Sequence, residues 1–162
     1  MALSTLFEPL QASPIGRLVA ESTWIFPTVE TLHVFALTIV AGSILVVDLR
    51  LLGVASTNQR VSALTKDLLP WTWTAFVFAA ITGTVLFTAR AADYMALGYF
   101  YAKYIFMALA GLNMVIFHFM TYRNVDSWDV GPTTGAAKIA GLLSIVFWAA
   151  VIICARKVGF LI

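Results

Sequence analysis

The sequence has few charged residues, one cysteine and two histidines, and these shortages exclude several classes of protein and of metal site. Charged residues make up 11% of the chain and hydrophobic residues 61%, whereas a soluble domain averages about 25% charged residues. The single cysteine, Cys154, excludes an internal disulfide and a cysteine metal cluster. The net charge of +2 is small and scattered, so we expect neither a nucleic-acid partner nor a polybasic lipid-binding patch.

What the chain does have is four apolar stretches of membrane-spanning length. A bilayer core is about 30 Å thick, so a helical span needs roughly 17–25 apolar residues. Lipid offers the backbone no hydrogen-bond partners, so each stretch is predicted to be a helix. The sequence thus predicts an all-α polytopic membrane protein, a single domain over residues 1–162 that forms a four-transmembrane-helix bundle. The uncharged stretches are Thr31–Val47, Leu68–Ala89, Tyr104–Tyr122 and Ile139–Ala155, and with their flanks the spans cover approximately 27–52, 68–91, 101–122 and 136–157.

Outside the spans, two segments have a predicted character. Ser13-Pro14 is typical of a helix start with proline in the first position, so Pro14–Ser22 is predicted to be a short interfacial helix. Residues Ser56–Asp67 are polar and are predicted to form a water-facing connection. The N-terminal segment has no basic residue before Glu8 and no long apolar run ending at a cleavage site, so it is not typical of a secretory signal.

Four spans place both termini on the same side of the membrane. The ten basic residues divide five and five between the two sides, so the positive-inside rule gives no overall orientation. The flanks of the first helix carry one basic residue before it and three after it, which weakly favours both termini outside.

The two histidines, His33 and His118, both fall inside predicted spans. Ionisable groups in a membrane are costly and are by default candidates for a functional site. Counted from the nearest charged boundary on parallel helices, their depths differ by roughly 15 Å. We therefore expect that they do not ligate one haem or metal within a subunit.

The third helix carries a stripe of potential ligands. Lys103, Met107, Ala110, Met114 and His118 follow helical spacing, and Asn113 lies beside them. Three arrangements remain open: histidine paired with a methionine, histidines paired across a symmetric dimer, or no cofactor. The candidate cofactor-binding residues are His33, His118 and Met114, and His118 is expected to matter more than His33.

Further polar residues lie within or at the edges of the spans. Glu30 is one helical turn from His33, where a carboxylate can fix the imidazole tautomer, or it lies in water at the boundary. Asp48 and Arg50 point to opposite sides of the first helix, so they need not pair with each other. Lys103 or Arg123 is a possible partner for Asp48.

Several runs of the sequence resemble a known family. These are Leu32-His33 through Gly42 to Asp48-Leu49-Arg50-Leu51-Leu52-Gly53, then Leu69-Pro70-Trp71, and Lys103 through Asn113 to His118. Together they resemble a family of small bacterial four-helix inner-membrane proteins of unknown function, and this resemblance implies a location in the bacterial cytoplasmic (inner) membrane. More distantly the chain is similar to the CopD copper-resistance membrane domain and to b-type cytochrome bundles. It departs from the cytochromes because its histidines lie at unmatched depths, and from a copper pathway because it lacks a dense methionine-histidine ladder.

Three functions are compatible with these features. The first is a small membrane subunit, redox-active or binding a cofactor such as haem b, within a larger assembly of other membrane subunits or its own copies. The second is a permease or accessory for copper or a small solute. The third is a purely structural membrane subunit. The sequence contains no nucleophile–base set, Gly-rich phosphate loop or metal-ligand spacing that would indicate a standalone enzyme.

Overall fold

The structure, a computed structural model, describes residues 3–129 and 131–162. These residues form helices and connecting loops and contain no strand. Within them, four helical segments are long and apolar enough to cross a membrane. The predicted all-α, four-span class is therefore confirmed. The helices are α1 Leu3–Gln11, α2 Pro14–Glu21, α3 Ile25–Leu52, α4 Val61–Ala89, α5 Ala91–Ala96, α6 Gly98–Ile116 and α7 Gly135–Leu161.

The first spanning helix, α3, lies between two partners. It packs antiparallel to α4, and hydroxyls join the pair where Ser43 Oγ and Thr72 Oγ1 lie 2.7 Å apart. The other span that it contacts is α7, where Gly141 allows close approach: a Cβ there would lie 3.1 Å from the main-chain oxygen of Asp48. Small residues at such crossings let membrane helices approach closely. The helix α6 packs along α7.

The third span changes its helical geometry near its end. After α6 the chain continues as a π-helical turn, Phe117–Thr121, and then as a 3₁₀ helix, Tyr122–Ser127. A π turn places more residues in each turn, so the side chains beyond it leave the stripe that a regular helix would continue. His118 lies within this turn.

The end of the bundle that carries the N-terminal helices, here called the terminal end, contains two surface helices. The helix α2 begins at Pro14, and Ser13 Oγ accepts a hydrogen bond from Gly16 N at 3.1 Å, as the sequence predicts. Gly16 lies so close to α4 that a Cβ would be 2.8 Å from the Thr88 carbonyl oxygen. The helix α1 was not predicted; it packs against α5, and Gln11 Oε1 accepts from the first turn of α5.

Aromatic rings fill the terminal end. The aromatic cluster is defined here as Phe7, Phe87, Tyr94, Phe100 and Tyr104. Phe100 is its centre: its ring is 5.6 Å from that of Phe87, 5.4 Å from that of Tyr94 and 5.0 Å from that of Tyr104. Burial raises the pKa of the Tyr94 phenol above its usual value. The cluster joins α1, α4, α5 and α6.

At the opposite end, here called the loop end, charged groups define the helix boundaries. The helix α4 begins at Val61, inside the connection that the sequence predicted over Ser56–Asp67. The cause is Asp129, whose carboxylate accepts from Ser62 N at 2.9 Å and from Ser62 Oγ at 2.5 Å. An anion at a helix N-terminus stabilises its first turn. A small core lies beside it, formed by Leu51, Val61, Val125, Trp128 and Ala137.

Candidate functional site

His33 lies between α3 and α4 and is held by a polar contact across them. Its Nδ1 is 3.0 Å from Thr82 Oγ1, and Thr82 is buried. The Thr82 hydroxyl lies 2.8 Å from the carbonyl oxygen of Phe78, so its single proton has a main-chain acceptor within its own helix. We therefore assign the proton of this contact to His33 Nδ1, which donates to Thr82 Oγ1. The main chain of Ala79 is a second hydrogen-bond partner of the ring. In the neutral ring this tautomer has no proton on Nε2, whose lone pair is then an acceptor.

The ring of His33 fits against a position without a side chain. A Cβ on Gly83 would lie 2.9 Å from His33 Cε1, a distance that real Cβ atoms essentially never show. Lys103 on α6 and Glu30 one turn earlier on α3 are both close enough to interact electrostatically with the imidazole. Glu30 is exposed. Thus three helices contribute polar groups around His33.

Lys103 itself is directed towards the aromatic cluster and not towards Asp48. Its ammonium nitrogen lies 5.0 Å from the Phe100 ring centroid and 4.8 Å from the Tyr104 centroid. Both distances are within the range of cation–π attraction. Lys103 lies at the terminal end, whereas Asp48 lies near the other end of α3, so these two residues do not meet.

His118 has a different environment from His33. Its side chain is exposed on the outer surface of the third span and stacks on Tyr122, with ring centroids 5.0 Å apart and planes at 14°. At about 1.5 Å per residue, His33 lies about 12 Å along α3 from its start at Ile25, and His118 about 30 Å from the start of its parallel span at Gly98. The two imidazoles thus lie at different depths and face different surroundings.

The predicted ligand stripe on the third helix does not continue as one interior surface. Ala110 is buried, but Met114 is 44% exposed and His118 is exposed. The π-helical turn at Phe117–Thr121 breaks the regular spacing on which the stripe depended. Asn113 instead serves packing, because its Nδ2 donates to the Ala140 carbonyl oxygen of α7 at 2.9 Å.

Asp48 and Arg50 are both buried near the loop end and face different neighbours. Asp48 is 5% exposed, lies at the crossing with α7 near Ser144, and its Oδ2 has no hydrogen-bond partner among the described residues. Arg50 is 3% exposed and donates from Nε to the Gln59 carbonyl oxygen at 2.7 Å. The opposite orientation of the two side chains is as expected from the sequence.

Asp129 is a residue that the sequence did not single out. Burial would raise the pKa of its carboxyl, but the hydrogen bonds from Ser62 Oγ and N, with Arg60 nearby, outweigh burial and hold the pKa below its usual value. Only the contact between the loop and the start of α4 shows this role. Thr82 and Gly83 were also not singled out from the sequence, because their contacts with His33 depend on how α3 and α4 are aligned.

Metal ligation by clustered residues finds no support in the described part of the chain. No group of three or more His, Cys, Asp or Glu side chains that could hold a metal ion occurs within residues 3–129 and 131–162. The fold and these polar groups define the class of the protein: a four-span α-helical membrane protein with isolated polar residues in its spans.

The chain belongs to a family of unknown function, DUF6644, which it matches over residues 6–161. The resemblance to a family of this kind is therefore confirmed, and it covers nearly the whole chain. No curated protein and no solved structure matches the sequence. The more distant likeness to the CopD domain and to b-type cytochromes has no support from these comparisons.

Proposed function

We propose that the chain is a small membrane subunit that works within a larger assembly and joins it through the third span. The supporting observation is the burial of the spans. In the most apolar window of the third span 6% of residues are buried, against 22–28% in the other three. The α6 helix has its long contact with α7 alone, whereas α3 packs along both α4 and α7. Its remaining surface is open to lipid or to a partner.

The outward position of His118 favours a protein partner over lipid. Around it the surface is apolar, with Met114, Phe119 and Met120 all exposed. A polar side chain within a span is costly against lipid and is normally paired with another polar group. A helix of a second subunit, or of a second copy, would supply such a group and cover the apolar surface.

Cysteine cross-linking in native membranes tests this proposal. Cys154, the only native cysteine, is first replaced by Ser to give a background without thiols. Single cysteines are then placed at Leu112 and Val115 on α6, and at Ile152 on α7 as a control, since all three native side chains are exposed. We expect oxidative cross-links from the α6 positions and few from Ile152.

The size of the product identifies the partner. A band of twice the subunit mass indicates a homo-oligomer, and a heavier or unequal product indicates another subunit. Equal cross-linking at Ile152, or none at either α6 position, would contradict an assembly surface on the third span. His118→Leu in the same background is expected to reduce the cross-link yield while leaving the subunit folded.

A redox role is a second candidate, and His33 supports it. An imidazole whose Nδ1 is fixed by a hydrogen bond presents Nε2 as a ligand, the arrangement typical of histidines that bind metals. In this proposal His33 Nε2 would help to hold a haem b together with a residue of a partner subunit, and the haem would supply electron transfer. The absorption spectrum of the purified assembly tests this: a Soret band that His33→Leu removes, while cross-linking through the third span is retained, would support it, and the absence of a band would contradict it.

The proposal also includes the location of the subunit. We propose that the subunit lies in the bacterial inner membrane, with both termini on the same side, and that this side is the outer one. Arg90 Nη1 donates to the main-chain oxygen of Ile162 at 3.0 Å, which supports the first point by joining the end of α7 to the terminal end. Reporter tags on both termini would test whether the termini lie on one side, and reporters active on opposite sides would contradict this.

We do not propose a copper or solute pathway along α6, because the ligand stripe ends on the outer surface.

A further inference from the structure

A cleft at the loop end contains two cations and lies apart from the histidines. This loop-end cleft has a volume of about 180 Å³ and is lined by Arg50, Thr57, Thr133 and Lys138 with adjoining loop residues. One water molecule occupies about 30 Å³ in the liquid, so the cleft has room for a small polyatomic anion. Thr57 and Lys138 are exposed at its rim, and Arg50 forms its buried wall.

The guanidinium of Arg50 is buried without a carboxylate partner in the described part of the chain. Nε donates to the Gln59 carbonyl oxygen at 2.7 Å, Nη1 to Thr133 Oγ1 at 3.2 Å, and Nη2 to the Asp129 main-chain oxygen at 3.4 Å. All three acceptors are neutral. A guanidinium has five N–H donors, so two remain for a further acceptor. Burial of a cation is costly unless an anion or a full set of acceptors offsets it.

The nearest acidic residue does not meet this need. The carboxylate of Asp129 is bound by Ser62 at the start of α4, and Arg50 contacts only its main-chain oxygen. Asp48 lies on the opposite side of α3, at the crossing with α7. The protein thus provides a buried positive charge beside an open cleft and directs its own carboxylates elsewhere.

A second cation and a helix N-terminus reinforce the preference for an anion. Lys138 lies in the first turn of α7, the 27-residue helix Gly135–Leu161, and faces the same cleft. The N-terminal end of a helix carries a partial positive charge. The Thr57 and Thr133 hydroxyls add donors on the cleft wall. Thr133 is itself a partner of Arg50, but Lys138, Thr57 and the start of α7 are independent of the Arg50 contacts and point to the same kind of ligand.

We propose that the loop-end cleft binds a phosphate group, with two oxygens on the free N–H donors of Arg50 and a third near Lys138. The planar guanidinium suits two oxygens of one phosphate, and the ammonium acts as a point charge. The cleft lies where α3 ends and α7 begins, which is the level of lipid headgroups. The phosphate therefore belongs either to an anionic lipid or to a free phosphate in the adjacent aqueous phase.

Thermal unfolding of the delipidated protein in neutral detergent tests binding of free phosphate. Inorganic phosphate is compared with sodium chloride at matched ionic strength, for wild type, Lys138→Gln, Thr57→Val and Arg123→Gln. Arg123 is an exposed cation at the same end that does not line the cleft. Vesicles test the lipid source: the protein is reconstituted with phosphatidylglycerol or with phosphatidylcholine, and lipid retained after extraction is measured by native mass spectrometry.

The expected outcomes distinguish the two sources. A rise of unfolding temperature with phosphate but not with chloride identifies free phosphate, and selective retention of phosphatidylglycerol without a phosphate effect identifies a lipid headgroup. In either case Lys138→Gln should weaken binding by about threefold, as for a partly solvated charge, and Arg123→Gln should not. Absence of both effects, or equal losses in the two variants, would overturn the proposal. Arg50→Lys keeps the positive charge but removes the paired N–H donors of the guanidinium. Binding equal to wild type in that variant would overturn the assigned role of Arg50.

Discussion

The two ends of the bundle are held by different forces. At the terminal end, the aromatic cluster around Phe100 joins four helices through ring contacts. At the loop end, Arg50 and Asp129 join α3, the start of α4 and the connection before α7 through hydrogen bonds to charged groups. The spans between the two ends are apolar and contact one another at few polar points.

The difference matters because the two kinds of contact respond to different conditions. Ring contacts depend on shape and area, and pH and salt change them little. Contacts of a carboxylate or guanidinium depend on ionisation and, near water, on ionic strength. Substitutions at the two ends should therefore be distinguishable by how their effects vary with pH and salt, even where their sizes are similar.

The largest expected effect is at the terminal end. Phe100 is 7% exposed, and Phe100→Ala removes its contacts with four rings, those of Phe87, Tyr94, Tyr101 and Tyr104, and with the Lys103 ammonium. We expect the free energy of unfolding, measured in mixed micelles, to fall by about 3 kcal/mol. This is the lower limit for such truncations in protein cores. Phe100→Leu should lose less than half of this. A loss that changes strongly with salt would contradict the aromatic origin of the stability.

Next in size is Asp129→Asn at the loop end. We expect a loss of about 1–2 kcal/mol at neutral pH, because the charge-assisted bonds to Ser62 weaken. Because folding lowers the pKa of Asp129 below 3.8, the wild-type advantage is complete above the unfolded pKa and disappears as pH falls through the folded pKa. Unfolding measured at pH 7, 5 and 3 checks this, and an advantage that persists unchanged at pH 3 would refute the assignment.

Features that depend on residues close together in the sequence could be predicted, whereas contacts between residues far apart in the sequence could not. The four spans follow from uninterrupted apolar runs, which lipid forces into helices, and the start of α2 follows from Ser13-Pro14. The partner of His33 did not follow, because Thr82 is 49 residues away and only the alignment of α3 with α4 brings them together. The start of α4 depends in the same way on Asp129, which follows the third span.

The stripe of potential ligands on the third helix shows a second limit of prediction from the sequence. The stripe assumed a regular helix from Lys103 to His118, but the structure has a π-helical turn at Phe117–Thr121, and both Met114 and His118 are exposed. No residue in that turn is a proline or glycine that would have indicated a change of geometry. The sequence therefore identified the two histidines as notable without indicating that one faces a helix partner and the other faces outward.

A smaller effect is expected where α2 meets α4. Gly16→Ala would place a Cβ 2.6 Å from the Gln11 carbonyl oxygen and 2.8 Å from that of Thr88, so α2 must move away from α4. Because α2 is a surface helix, the change should be local. We expect faster amide exchange in α2 and little change in global unfolding, measured by hydrogen exchange with mass spectrometry. Gly42→Ala is the control, since a Cβ there has no neighbour within 4 Å.

The smallest expected effects come from two matched helix caps, one at each end. Ser13 Oγ accepts from Gly16 N at 3.1 Å, and Thr134 Oγ1 accepts from Ala137 N at 3.4 Å. Removal of such a cap costs about 0.5–2 kcal/mol, and the longer bond places Thr134→Ala near the lower limit. Because Thr134 caps a spanning helix and Ser13 a surface helix, Thr134→Ala should lower global stability, whereas Ser13→Ala should speed exchange only in α2. Thr134→Ser should restore the wild-type value. Equal global losses from the two alanine variants would show that α2 unfolds together with the spans, and the proposed separation between surface and spanning helices would then be wrong.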